Sequence, residues 1–191
     1  MSFLILMSGF THSGKSYLAE KIANSFPYLQ FNIVNSEAIH NFLNSTYPVF
    51  QDDNTIKGKS FNIRQETTKN IQKELIKTFA KCNINTIIDS CNSTLKKRKT
   101  LIDTAKSANP DIKTIIIYVN TPENVILGRL QDSDRKNITK GEKPAWVDLY
   151  LKIQKPNFEK PTETEADFLI IHQGKLDETL DYLKTVINPK I

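Results

Sequence analysis

The chain is poor in several things that would mark a special class of protein. It holds two cysteines, Cys82 and Cys91, in 191 residues. Their spacing suits neither a disulfide framework nor a metal motif, so reduced, partly buried thiols are expected. No apolar run approaches the roughly 20 residues that a membrane helix needs. The apolar start, Phe3 to Met7, has no basic leader and runs straight into a glycine loop. It reads as a buried strand and not as a signal peptide, and a cytoplasmic location is the expectation. Neither sign of charge dominates strongly. With 26 basic and 21 acidic residues the net charge is +5, which permits a polyanionic partner without requiring one. There is no internal repeat and no linker-like stretch, and the length suits one α/β domain spanning 1–191.

What the chain does have is alternation. Short apolar runs, FLILM (3–7), LQFNIV (29–34), INTIID (84–89), TIIIYV (114–119) and ADFLII (166–171), are rich in β-branched residues and bounded by polar ones. Such runs are expected of parallel strands covered on both faces. Between them lie helical patterns near 14–26, 36–44, 60–82, 94–108, 122–131, 144–154 and 175–187. The repeat predicts a doubly wound α/β fold, a sheet flanked by helices. Residues 45–59 show no clear period and read as a loop. The polar stretch 132–143 reads as a mobile segment.

The first run leads into GFTHSGKS, Gly9 to Ser16, which fits the phosphate-binding pattern G-x-x-x-x-G-K-[ST]. Gly9 and Gly14 let the backbone curl around Ser13 and turn its N–H groups inward. The helix after Gly14 adds the positive end of its dipole. Lys15 is placed to reach the outer phosphates of a nucleoside triphosphate such as ATP, and the Ser16 hydroxyl to ligate Mg²⁺. His12, at the crown of the loop, reads either as a phosphate contact or as an exposed loop side chain. Asp89 ends a predicted central strand, where a carboxylate either holds a metal-bound water or caps the following turn.

These elements together resemble the polynucleotide-kinase/zeta-toxin-like group of phosphate-loop kinases. The likeness runs from Phe3 to about Ile171 and rests on the loop followed by Asp89, Asn92 and Arg98, which match a D-x-T-N…R pattern with Cys91 in the Thr place. It implies a five-stranded parallel sheet and an ATP-dependent, Mg²⁺-assisted kinase, with Asn92 and Arg98 on the substrate side. Lined up with the same group, IVNSE puts Glu37 where an acid receives the acceptor hydroxyl's proton. An acid in the first turn of a helix also fits a purely local role. His40, one turn on, and Arg64, which opens a long helix, are candidates for the acceptor pocket. ILGRLQDSDRKN resembles the group's arginine lid, here about 132–143. Arg129 and Arg135 are both candidates to close over the triphosphate. Trp146, Leu149, Tyr150 and Ile153 have helical spacing and read as core. His172 and Gly174, after the fifth strand, border the expected base site or form a plain turn.

Two classes of function follow. One is a kinase whose acceptor is a nucleic-acid 5′-hydroxyl, a nucleoside, a sugar or a sugar nucleotide. The other is a nucleotide-dependent switch with slow hydrolysis.

Overall fold

A computed structural model describes residues 2–50, 59–139 and 145–187. Five strands form one parallel sheet: β1 (Phe3–Ser8), β2 (Asn32–Asn35), β3 (Thr86–Asp89), β4 (Lys113–Val119) and β5 (Phe168–His172), in the order β2-β3-β1-β4-β5. The helices are α1 (Lys15–Ser25), α2 (Ser36–Thr46), α3 (Lys59–Lys81), α4 (Leu95–Ala108), α5 (Glu123–Thr139), α6 (Trp146–Leu149) and α7 (Leu176–Ile187). The expected doubly wound α/β architecture is what forms.

β1 sits at the centre because every one of its six residues is buried. Alternation splits them between two cores. Phe3, Ile5 and Met7 face α1 and α7, where they meet Leu18, Ile22, Leu183 and Val186. Leu4 and Leu6 face α3 and α4, where they meet Ile76, Ala80, Leu101 and Ala105. Each such fully buried aliphatic side chain contributes about 1.5–3 kcal/mol relative to exposure. The register sets Leu6 beside Ile88 on β3 and Asn35 beside Asp89. The carboxyl ends of β1, β2 and β3 therefore finish at one edge, the place where open parallel sheets bind ligands.

Three boundaries differ from expectation. A 3-10 turn at Pro27–Leu29 and a left-handed Gln30 delay β2 to Asn32. α2 runs on to Thr46 and is followed by a 3-10 turn at Pro48–Phe50, while 51–58 lie outside the described residues. The stretch 132–139, expected as a mobile segment, forms the last two turns of α5, and 140–143 lie outside the described residues. The polar composition there is that of a helix with one solvated face. Beyond α6, a π turn at Tyr150–Gln154 shifts the helical face. Trp146 and Tyr150 pack with Ile126 and Leu130, as their spacing predicts, but Ile153 is exposed.

Candidate nucleotide-binding site

The glycine loop joins β1 to α1, and each of its bends has a cause. Gly9 has φ +147°, and a Cβ there would stand 2.9 Å from the Val119 carbonyl oxygen. Its N–H donates to the Cys91 carbonyl at 3.1 Å, which ties the loop's start to the segment after β3. His12 (φ 58°) and Gly14 (φ 99°) take left-handed conformations that turn the loop back toward α1. The Lys15 ammonium donates to the Phe10 carbonyl at 2.5 Å. Phe10 itself is anchored outward, 5.1 Å from the Tyr150 ring and 4.5 Å from the Phe158 ring.

The loop forms the floor of a cavity of about 580 Å³. Lys15 and Ser16 line it, together with Asn35, Ser36 and Glu37 at the start of α2 and Asp89, Ser90 and Cys91 at the end of β3. The far wall is Ser133, Lys136 and Asn137 of α5 and Trp146 of α6. Asp89 is 4% exposed, and one oxygen accepts from the Asn35 amide at 2.6 Å. The other Asn35 side-chain atom, Oδ1, caps α2 by accepting from the Ala38 N–H at 2.8 Å. The cap is thus Asn35, and Glu37 is left exposed in the first turn at the cavity's edge.

A second cavity of about 450 Å³ opens on the other side of the loop, lined by Ser13, Tyr17, Val125, Arg129, His172 and Gln173 among others. Gly174, at φ +83°, makes the turn that borders it. Burial holds the His172 imidazole below its ordinary value, and its Nδ1 lies 2.8 Å from the Thr179 hydroxyl.

α5 and α6 reach over the loop by three contacts. The Arg129 guanidinium donates to the His12 carbonyl at 2.9 Å, and His12 Nε2 lies 2.8 Å from the Ser133 hydroxyl. The His12 ring also stands edge-on to Trp146, with centroids 5.4 Å apart. Burial, with Lys15 and Arg129 nearby and Glu37 and Asp134 opposing, keeps His12 below the usual histidine value. Asp134 ties α5 to the start of α6, since its carboxylate accepts from the N–H groups of Ala145, Trp146 and Val147 at 2.8–3.1 Å. Those bonds to backbone N–H groups, Trp146 first, hold it below the usual carboxylate range despite burial.

Five of the anticipated site residues stand elsewhere. Arg135 is not on the cavity wall. It is an exposed partner of Asp132, because a helix turning 100° per residue brings 133, 136 and 137 to the cavity but carries 135 to the opposite side; Arg129 lines the second cavity. Arg98 is fully buried, with its guanidinium clamped to Glu165 at 2.6 and 3.0 Å and to the carbonyls of Asn92 and Glu159 at 3.0 and 2.8 Å. Asn92, also fully buried, donates to the Met7 carbonyl at 2.8 Å, and its own carbonyl accepts from the Ser8 hydroxyl. Neither Arg98 nor Asn92 has surface to offer a substrate. His40 and Arg64 meet each other at 2.8 Å between α2 and α3, and Arg64 also reaches Asn44 at 2.6 Å. Neither lines the cavity. Cys82 is exposed, contrary to expectation, and both thiols are free. Ser133, Lys136 and Asn137 were missed because 132–143 reads as a polar, mobile segment; a helical reading carried past Gln131 would have brought them to the cavity.

The strand order, the loop between β1 and α1 and the acid at the end of β3 define a phosphate-loop kinase fold. Comparison with known proteins agrees. Over its whole length the chain is similar to a putative kinase from Chloroflexus aurantiacus (TM-score 0.73, 13% identity, covering 100% of this chain and 98% of that one). It is also similar to Kti12 of Chaetomium thermophilum in complex with ADP-AlF3 (0.63, 14%, 94% and 96%). A third likeness is to the Mycobacterium tuberculosis APS kinase solved with AMPPNP and APS (0.57, 12%, 98% and 98%). No curated protein sequence matches. The family model of the chromatin-associated protein KTI12 matches residues 1–187, and the chain belongs to the KTI12 family.

Proposed function

We propose that the protein binds ATP and transfers its γ-phosphoryl group to a hydroxyl acceptor held between Glu37 and Ser90. The observation that carries this reading is the shared cavity: the loop's Lys15 and Ser16, the buried Asp89 and the exposed Glu37 face one space. Lys15 and Arg129 would neutralise charge on the outer phosphates, and Arg129 already stands on the loop. Glu37 would accept a hydrogen bond from the acceptor and orient it. The α5 lid, from Arg129 to Asn137, would exclude water from the reacting atoms.

The residues fit a Mg²⁺ ion. Among the described residues no cluster of three or more acidic, His or Cys side chains exists that would hold a metal by protein groups alone. One hydroxyl, Ser16, and one buried carboxylate, Asp89, share the cavity, which suits an ion that keeps waters and takes its other ligands from phosphate. When bound, such an ion would neutralise phosphate charge.

The narrower reading places a polynucleotide 5′-hydroxyl in the acceptor position. The mildly basic charge and the resemblance of the loop and lid to polynucleotide kinases support it. A second reading, nucleotide hydrolysis that switches the protein between states, draws support from the family match to a chromatin-associated protein. Incubation with γ-labelled ATP and a panel of nucleosides, sugars, sugar nucleotides, tRNA and 5′-hydroxyl oligonucleotides separates the two. Label transferred to any alcohol is expected. Release of inorganic phosphate alone, across the panel, would replace transfer with hydrolysis.

A further inference from the structure

Beside Ser90, on the proposed acceptor side, α4 carries a basic cluster that includes Lys96, Lys97, Lys99 and Lys106. Of the basic cluster on α4, Lys106 is taken up by Asp167 at 2.9 Å. Lys97 behaves differently. It is partly buried, and its ammonium donates to the Ser90 hydroxyl at 2.9 Å, so its charge reaches the wall of the main cavity. Its stem lines a separate groove of about 330 Å³ between α3 and α4. Lys69, Gln72 and Lys73 come to that groove from α3, and Thr94, Lys96 and Lys97 from the start of α4. Among the described residues no Asp or Glu lines it. Lys69 has a weak, exposed contact with Glu66 at 3.5 Å, and among the described residues no carboxylate pairs with Lys97.

Withdrawing an ammonium from water without a counter-charge is unfavourable. Burial is the main cause that holds Lys97 below the usual lysine value; Cys91 opposes it, and Lys69 and Lys15 add to it. A site built this way is completed by an anion. We propose that Lys97, with Lys69, Lys73 and Lys96 around it, is an anion subsite that seats a phosphate group carried by the acceptor. The inference rests on the phosphoryl-transfer reading for the word acceptor, but the subsite itself is a binding property. In the cavity an acceptor would present its hydroxyl near Glu37 and Asp89 while its phosphate lay past Ser90 against Lys97. A sugar phosphate and a nucleic-acid strand share this chemistry.

The test is calorimetric titration of the full chain saturated with Mg²⁺ and AMPPNP, so that the glycine loop is already filled. Ribose 5-phosphate and an unphosphorylated dT8 oligonucleotide are the probes, with ribose as the uncharged control. At least one charged probe is expected to bind where ribose does not, and the one that binds identifies a phosphomonoester or a phosphodiester source. Lys97→Met keeps the stem and removes the charge. It should weaken that binding by about 10-fold or more, the size of one charge-assisted hydrogen bond. Lys73→Gln should weaken it less, and Lys99→Gln should leave it unchanged. Binding of neither probe, or equal binding by Lys97→Met, would overturn the subsite. Should Lys97→Met lose AMPPNP as well, Lys73→Gln decides, and undiminished binding there overturns the proposal. Retained probe binding with no labelled product from any acceptor would remove the transfer reading and leave the subsite standing.

Discussion

Replacing Arg98 by Met tests whether the D-x-x-N…R pattern serves chemistry or structure. The guanidinium donates four hydrogen bonds, two to Glu165 and one each to the carbonyls of Asn92 and Glu159, with no exposed surface of its own. The Glu165 carboxylate is 5% exposed. Methionine fills much of the volume but leaves a buried carboxylate without its cationic partner, the Glu159 carbonyl without a donor and the Asn92 carbonyl with the Ser8 hydroxyl alone. Breaking a buried pair from one side costs about 3–5 kcal/mol, a large share of the roughly 5–15 kcal/mol that a domain has. For a chain of this size that corresponds to a fall in Tm of about 6–20 °C. Urea unfolding and a thermal melt measure it directly. Changing Glu165→Gln in the same chain should recover part of the loss, since the unpaired charge is then gone.

The same pair fixes the sign of an acid effect. Burial raises the Glu165 pKa, but Arg98 and the Thr162 N–H and hydroxyl outweigh it, so the folded value lies below the ordinary 4.5. The unfolded chain therefore binds this proton first as pH falls. The contribution is fully present above the unfolded value and is lost as pH drops through the folded one, and Arg98→Met should flatten that part of the stability curve. A variant that unfolds within about 1 kcal/mol of wild type, yet binds its acceptor poorly, would refute the structural role and return Arg98 to the substrate.

Three other substitutions probe the cavity. Lys15→Ala should abolish most turnover with the fold intact by circular dichroism, and retained activity would disprove the phosphate-loop assignment. Arg129→Ala should lower turnover by about 10–100-fold, the scale of one charge-assisted bond to phosphate, while Arg135→Ala stays near wild type in the same steady-state assay. Equal effects would mean that α5 rotates or unwinds when nucleotide binds. Glu37→Gln should slow transfer by about 10²-fold or more in single-turnover measurements if the carboxylate takes the proton, and near-normal rates would confine Glu37 to the helix dipole.

The fold was readable because its signals are local and redundant. Five β-branched runs, a glycine loop after the first and Thr94 before α4 each act over a few residues, and tertiary structure agrees with them. The lining of the candidate site was readable where motif and backbone coincide, since Lys15, Ser16 and Asp89 come to one cavity. It was not readable where a side chain's role depends on which way a helix turns. Arg135 and Ile153 were misassigned for that reason, the first by a helix that continued and the second by an extra residue in a turn. Arg98 was misread for another reason. Its partner Glu165 is 67 residues away, and no pattern along the chain announces a buried pair at that distance.

The two halves of the cavity are held by different means, and this bears on where function can diverge. The donor half hangs on β1. Gly9 is tied to Cys91, Asn92 to Met7 and Ser8, and Thr121 to the Ser13 carbonyl at 2.7 Å, so moving the loop means disturbing the central sheet. The acceptor half hangs on α2, of which Leu43 alone is buried while Phe42 is exposed. It is also tied by side-chain hydrogen bonds to α3 and β3, between Ser36 and Gln72, between Arg64 and both His40 and Asn44, and between Asn35 and Asp89, and none of them runs through the central strand. A chain can therefore keep the geometry that grips a triphosphate and replace most of the surface that chooses its recipient. The fold is shared with chains of 12–14% identity. If the proposed transfer and anion subsite hold, substitutions in α2, Ser90 and the lysine groove should alter acceptor choice while ATP affinity stays constant.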